Sequence, residues 1–108
     1  MLDQQTLNTI LQQLRSELEK LYGDRLIHVI LFGSQARGDA EAHSDIDVLV
    51  VLNHSVEPAA EAERSSHFVT ALCLKYQVLI ACVFVSRDRF IEQQGGFLRN
   101  VHREGILV

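Results

Sequence analysis

With 108 residues, 47% apolar and 22% charged, the chain has the make-up of a single globular domain, too short for a second module and too apolar for disorder. The net charge is −4 and no basic run exceeds an isolated arginine or two, so direct nucleic-acid binding is not expected. The longest apolar run, 78–85, is far too short to span a bilayer, and Met1 leads into a polar, amphipathic stretch rather than a signal peptide; no membrane association and a cytoplasmic location are expected.

Asp3 suits the cap of a first helix whose apolar residues, Leu7, Ile10, Leu11, Leu14, Leu18 and Leu21, follow one helical face. Gly23 ends it, and Asp24 turns the chain into a strand over 26–32. The segment 33–44 is small and polar, with Ser34 placed to start a short helical turn. A second strand is predicted from about Asp45 to Leu52. Residues 53–58 form a loop, and Pro58 fits the first turn of a helix reaching about Tyr76. A third strand is predicted over 78–85. Ser86 caps a short helix through Gln93, Gly95-Gly96 breaks it, and a last helix covers 97–104. Cys73 and Cys82 fit no zinc pattern and sit in apolar surroundings, as expected of buried reduced thiols in an intracellular protein.

Alternate side chains of a strand share a face, so Asp45 and Asp47 point one way while Ile46 and Val48 point the other. Two like charges on one side are costly unless a cation neutralises them. An oxygen-only donor set at this density suits Mg²⁺ or Mn²⁺. Ten residues upstream, Gly33-Ser34 closes the first strand with a turn that offers backbone N–H groups and a hydroxyl to phosphate oxygens. Phosphate cradle and acid pair together read as phosphoryl or nucleotidyl transfer. For them to share one site, the first two strands must lie antiparallel. The helix between the second and third strands is the connection of a right-handed parallel crossover, which brings the start of the third strand to the same place. The expectation is an α+β fold: a small mixed sheet of about three strands with helices on at least one face.

Other readings are weaker. An Asp-x-Asp phosphatase places its acids after an apolar strand, whereas here they precede one. No Gly-Lys-Ser/Thr occurs, which excludes a Walker loop. Arg37 either touches phosphate or braces the loop by pairing with an aspartate. Gly38 serves backbone geometry. Ser44 reads as a turn residue and His43 as a loop histidine beside the pair. His28, His54, His67 and His102 show no ligand spacing, and Lys75 and Tyr76 are candidates for base or ribose contacts.

The run Gly33-Ser34-Gln35-Ala36-Arg37-Gly38, then Ser44-Asp45-Ile46-Asp47 and the terminal Arg103-Glu104-Gly105-Ile106, resembles the minimal nucleotidyltransferases of the polymerase-beta superfamily. The likeness covers nearly the whole of 1–108, as a single nucleotidyltransferase domain in a two-layer, polymerase-beta-like fold. It implies an adenylyltransferase-type enzyme with Mg²⁺ (or Mn²⁺) as cofactor and ATP as substrate. Asp45 and Asp47 would be catalytic metal ligands, and Gly33, Ser34 and Arg37 would bind the nucleotide. Small members of this kind resemble antitoxins that pair with a helical HEPN-class toxin and transfer AMP to one of its tyrosines. A homodimer or a hetero-complex is expected, because a chain this small leaves the nucleotide pocket short of walls. The third strand departs from the family pattern, since 77–85 holds no acid where a third carboxylate would activate the acceptor hydroxyl. The base then comes from Glu104, a partner or a metal-bound nucleophile. Alternatively, the protein is a catalytically weakened, nucleotide-binding antitoxin that neutralises its HEPN-type partner by occlusion.

Overall fold

The structure, a computed structural model, describes residues 2–41, 45–93 and 95–108; the readings for His43 and Ser44 lie outside the described residues. Helix α1 spans Gln4–Tyr22, and Asp3 caps it by accepting a 2.7 Å hydrogen bond from the Thr6 N–H. Its predicted apolar face is buried, except that Tyr22 rather than Leu21 completes it. Gly23, at φ 57°, ends the helix and opens a 3-10 turn that delivers strand β1, Leu26–Phe32. Helix α2 is the five-residue turn Gly33–Arg37, and strand β2 is Ile46–Leu52. Helix α3, Pro58–Tyr76, has the bounds the sequence predicts.

Strand β3 runs over Ile80–Ser86, two residues later at its start than the apolar run suggests. Gln77 takes a left-handed backbone to cap α3, and the Val78 N–H still bonds back to the Cys73 carbonyl, so those residues are spent leaving the helix. Helix α4 is Arg87–Glu92, with Ser86 capping it as expected. The break that follows sits at Gln93, φ 52°, and not at the glycine pair; Gly95 and Gly96 instead form the first turn of α5, Gly95–Glu104. A fourth strand, β4 (Ile106–Leu107), completes the sheet.

The sheet is mixed, ordered β3-β2-β1-β4, with β1 antiparallel to β2 and β4, and β2 parallel to β3. The α+β expectation is met, with one strand more than the three foreseen. Strand β2 is central and buried along almost its whole length, which explains its run of branched apolar residues. Its even-numbered residues, with Val29, Leu31 and Phe84, pack under α1 and α3. Leu49 and Val51 face the other way, with Ile30 and Val85, under Phe90 of α4 and Leu98 and Val101 of α5. Helices therefore cover part of the second face too. His102 joins α4 to α5, its Nε2 lying 2.7 Å from the Phe90 carbonyl oxygen and its ring stacked on Phe90 at 4.1 Å. No described helix is long and apolar enough to cross a membrane.

A carboxylate, Glu61, is buried between α1 and α3. The Tyr22 hydroxyl donates to Glu61 Oε1 at 2.9 Å, and Arg64 Nη1 pairs with the same oxygen at 3.1 Å. Glu61 and Tyr22 are each 3% exposed, and burial pushes the Tyr22 phenol far above its usual range. Replacing Tyr22 by Phe leaves a buried carboxylate short of a donor. The expected cost is about 1–3 kcal/mol, read as a lower denaturant midpoint; an unchanged midpoint would show that Arg64 and solvent suffice.

Candidate active site

The end of β1 and the start of β2 define the site through their ladder. Phe32 pairs with Asp47, and Asp47 in turn pairs with Ala81 of β3, so these three side chains lie abreast across the sheet. They share the α4–α5 face, where Phe97 of α5 meets the Phe32 ring edge-on at 5.2 Å. Directly after Phe32 the chain turns into α2 at Gly33. The backbone there has φ 73°, and a Cβ on Gly33 would collide with Asp47 Oδ2. Only glycine meets both demands at once, the left-handed backbone and the contact with the carboxylate. Gly33 thus stands against Asp47 at the start of α2, whose first N–H groups have no partner within the helix.

Asp45 lies one residue before β2 and is exposed, whereas Asp47 is half-buried. Burial, then the negative charge of Asp45, raise the Asp47 carboxyl above its ordinary 3.8, while the Arg37 cation pulls it partly back. The charge of Asp45 thus reaches Asp47, and Asp47 is the member of the predicted pair that stands against the predicted turn. Two hard carboxylate donors fit a divalent cation of the Mg²⁺ class, which takes one or two carboxylates and fills its remaining positions with phosphate oxygens and water. Among the described residues no group of three or more His, Cys, Asp or Glu could hold a metal, so phosphate oxygens or water would complete the shell of a cation here.

Arg37, at the end of α2, makes the loop-bracing pair that is one of its two alternatives, its Nε lying 3.1 Å from Asp39 Oδ2. Its Nη1 also reaches Glu104 at the end of α5, 3.3 Å away, a contact 67 residues apart that local spacing gives no means of finding. Glu104, one of the alternatives for a base, is thus engaged with Arg37. Gly38, φ 82°, caps α2 by donating to the Ser34 carbonyl at 3.0 Å. A cleft of about 270 Å³, lined in part by Gln4, Asn8, Gln35 and Arg37, opens beside α2; Asp47 is not among its lining residues.

Other candidates fall away from this centre. Lys75 and Tyr76 end α3, where the Lys75 ammonium sits 5.2 Å from the Tyr76 ring centre and Tyr76 packs against the α1–α3 core, on the opposite face from Asp47. Cys73 and Cys82 are free and half-buried, and burial pushes the Cys82 thiol up to about 12, which leaves it inert. The third-strand position facing Asp47 is Ala81, a methyl group with no proton to exchange.

Residues 11–95 match the nucleotidyltransferase domain family. The chain belongs to that family. It is 37% identical over 89 residues to the Methanocaldococcus jannaschii protein named "Putative protein adenylyltransferase MJ0604", spanning 82% of this chain and 83% of that one. A second relative from that organism, MJ1305, is 46% identical over 50 residues, but the match spans only 34% of its length. A solved "putative minimal nucleotidyltransferase" superimposes over 99% of this chain and 97% of its own, with a TM-score of 0.66 and 26% identity. A toxin–antitoxin structure with AMP-PNP shares the fold at a TM-score of 0.61 and 20% identity, over 89% of this chain and 70% of that one.

The raised Asp47 carboxyl makes a signed prediction. The native state holds this proton more tightly than the unfolded chain, so wild-type stability falls as pH rises from about 4 through the raised native value. Asp47→Asn lacks this loss. Its melting temperature should therefore gain on wild type over that window and keep the gain at neutral pH, and a gap that stays constant or narrows would contradict the environment described.

Proposed function

We propose that the protein is a metal-dependent adenylyltransferase that moves AMP from ATP to a hydroxyl on a partner protein. The observation that carries this reading is the seating of the Gly33–Ser34 turn against Asp47, with Asp45 beside it. A triphosphate at the turn meets backbone N–H groups and the Ser34 hydroxyl, with its phosphate oxygens next to the two carboxylates. When bound there, Mg²⁺ or Mn²⁺ supplies neutralisation of the charge on the attacked phosphorus and on the leaving pyrophosphate. Asp45 and Asp47 would hold it, while Gly33, Ser34 and Arg37 orient the phosphates.

The acceptor oxygen forms a bond to the α-phosphorus as the bond from that phosphorus to the β-phosphate bridging oxygen breaks, releasing pyrophosphate. Strand β1 and α2 occupy one side of Asp47, so the acceptor approaches from the β3 side, above Ala81. Ala81 offers no base, and the hydroxyl proton leaves to water across that open side. The naming of MJ0604 and MJ1305 as protein adenylyltransferases supports a protein acceptor. Toxin–antitoxin assemblies among the fold neighbours are in keeping with a toxin, of the HEPN class in the resemblance drawn from the motifs, and with an antitoxin role for this chain.

Incubation with α-labelled ATP, Mg²⁺ and the product of a neighbouring reading frame tests the reading. Label should pass to that protein, and Asp45→Asn or Asp47→Asn should each cut the rate by at least about 10²-fold, the scale of losing a principal electrostatic group. Transfer that survives both substitutions would overturn it.

Ala81 favours a second reading, in which the protein binds nucleotide but transfers it poorly and silences its partner by occlusion. Loss of a general base typically costs about 10²–10⁴ in rate. Ala81→Asp separates the two readings. If the missing acid limits turnover, transfer should rise at least about tenfold in this variant; if the native site already works without a base, the added charge should leave the rate level or lower it.

A further inference from the structure

We infer that Glu104 is a positioning residue for the nucleotide, holding Arg37 over the phosphate turn from the far end of the chain. The inference rests on the reading of Gly33–Ser34 as the seat of the triphosphate.

Glu104 is fixed relative to that seat by backbone. It ends α5, and the next residue, Gly105, brings its Cα so close to the helix that a Cβ would lie 2.6 Å from the Val101 carbonyl oxygen. The Gly105 N–H donates to that same carbonyl at 2.7 Å, and the chain then enters β4, where Ile106 pairs with Leu31. Leu31 is two residues from Gly33 along β1. Any displacement of Glu104 from the phosphate turn must therefore strain a β ladder, and its carboxylate, 27% exposed, is held where Oε2 meets Arg37 Nη1 at 3.3 Å.

Arg37 alone would have ample freedom, since its side chain is 44% exposed. Asp39 takes Nε and Glu104 takes Nη1, so two carboxylates from different elements fix the plane of the guanidinium. Held in this way, it stands one helical turn from Gly33, in the same short helix α2. A guanidinium already fixed at the end of the proposed phosphate turn costs little entropy to use against a phosphate. The terminal Glu-Gly therefore serves the nucleotide through Arg37 without touching it.

The test is a double-mutant cycle on the binding of AMP-PNP with Mg²⁺, measured by calorimetry on wild type, Glu104→Gln, Arg37→Ala and the double variant. Glu104→Gln should weaken binding about threefold to fivefold, the scale of one exposed ion pair. In the Arg37→Ala background the same change should do nothing further. In the transfer reaction the effect should fall on the KM for ATP and leave kcat within about twofold. Asp39→Asn cuts the other anchor without disturbing α5 and should show the same dependence on Arg37. Unchanged affinity in Glu104→Gln, or an equal loss with and without Arg37, would overturn the inference while leaving the phosphate seat intact. A wild-type protein that binds no AMP-PNP would overturn both.

Discussion

The contact between Gly33 and the Asp47 carboxylate is the constraint on which the rest of the arrangement depends. It exists because β1 and β2 pair antiparallel in a register that sets Phe32 opposite Asp47. A slip of one residue would turn Asp47 to the α1–α3 face and bury a carboxylate among leucines. The apolar pattern of β2 forbids that slip, since both of its faces are already claimed by separate halves of the core. The hydrophobic effect thus fixes the register, and the register delivers an acid to the Gly33 turn proposed to seat phosphate.

The local cost is plain in the same residues. Asp47 is half-buried beside Asp45, and its carboxyl is raised by both circumstances. Gly33 holds a left-handed backbone. Neither feature helps the fold, and both are what the proposed cation and phosphate site would require. Strand β3 shows the converse, because the position abreast of Asp47 carries only the methyl group of Ala81. On the proposed reading, the site has donors for a charged nucleotide and is sparse for taking a proton from an acceptor.

Much of this was legible in the sequence because the decisive spacings are short. The leucine face of α1, the cap at Asp3, and the bounds of β1 and α3 follow from periodicity and from residues that act within one turn. The pair Asp45 and Asp47 and the turn at Gly33 were readable for the same reason. What escaped reading involves geometry between distant segments or residues of weak local preference. Apolar Leu79 reads as strand by composition, yet it is 60% exposed in the connector from α3. Gln93 adopts the left-handed turn that the glycine pair was expected to supply. Strand β4 is two residues long and too short for any alternation to register. The Arg37–Glu104 pair joins positions 67 apart, which only the closing of α5 onto β1 brings within reach.

The central claim is that a cation and a triphosphate meet between the α2 turn and the start of β2. The most direct measurement is the line broadening of assigned backbone amides when Mn²⁺ and ATP are added together to ¹⁵N-labelled protein. The account predicts that the signals of Gly33, Ser34, Ile46, Asp47 and Ala81 vanish first. Broadening centred instead on Asn53, Ser55 and Arg87, at the opposite end of β2 and β3, would contradict it.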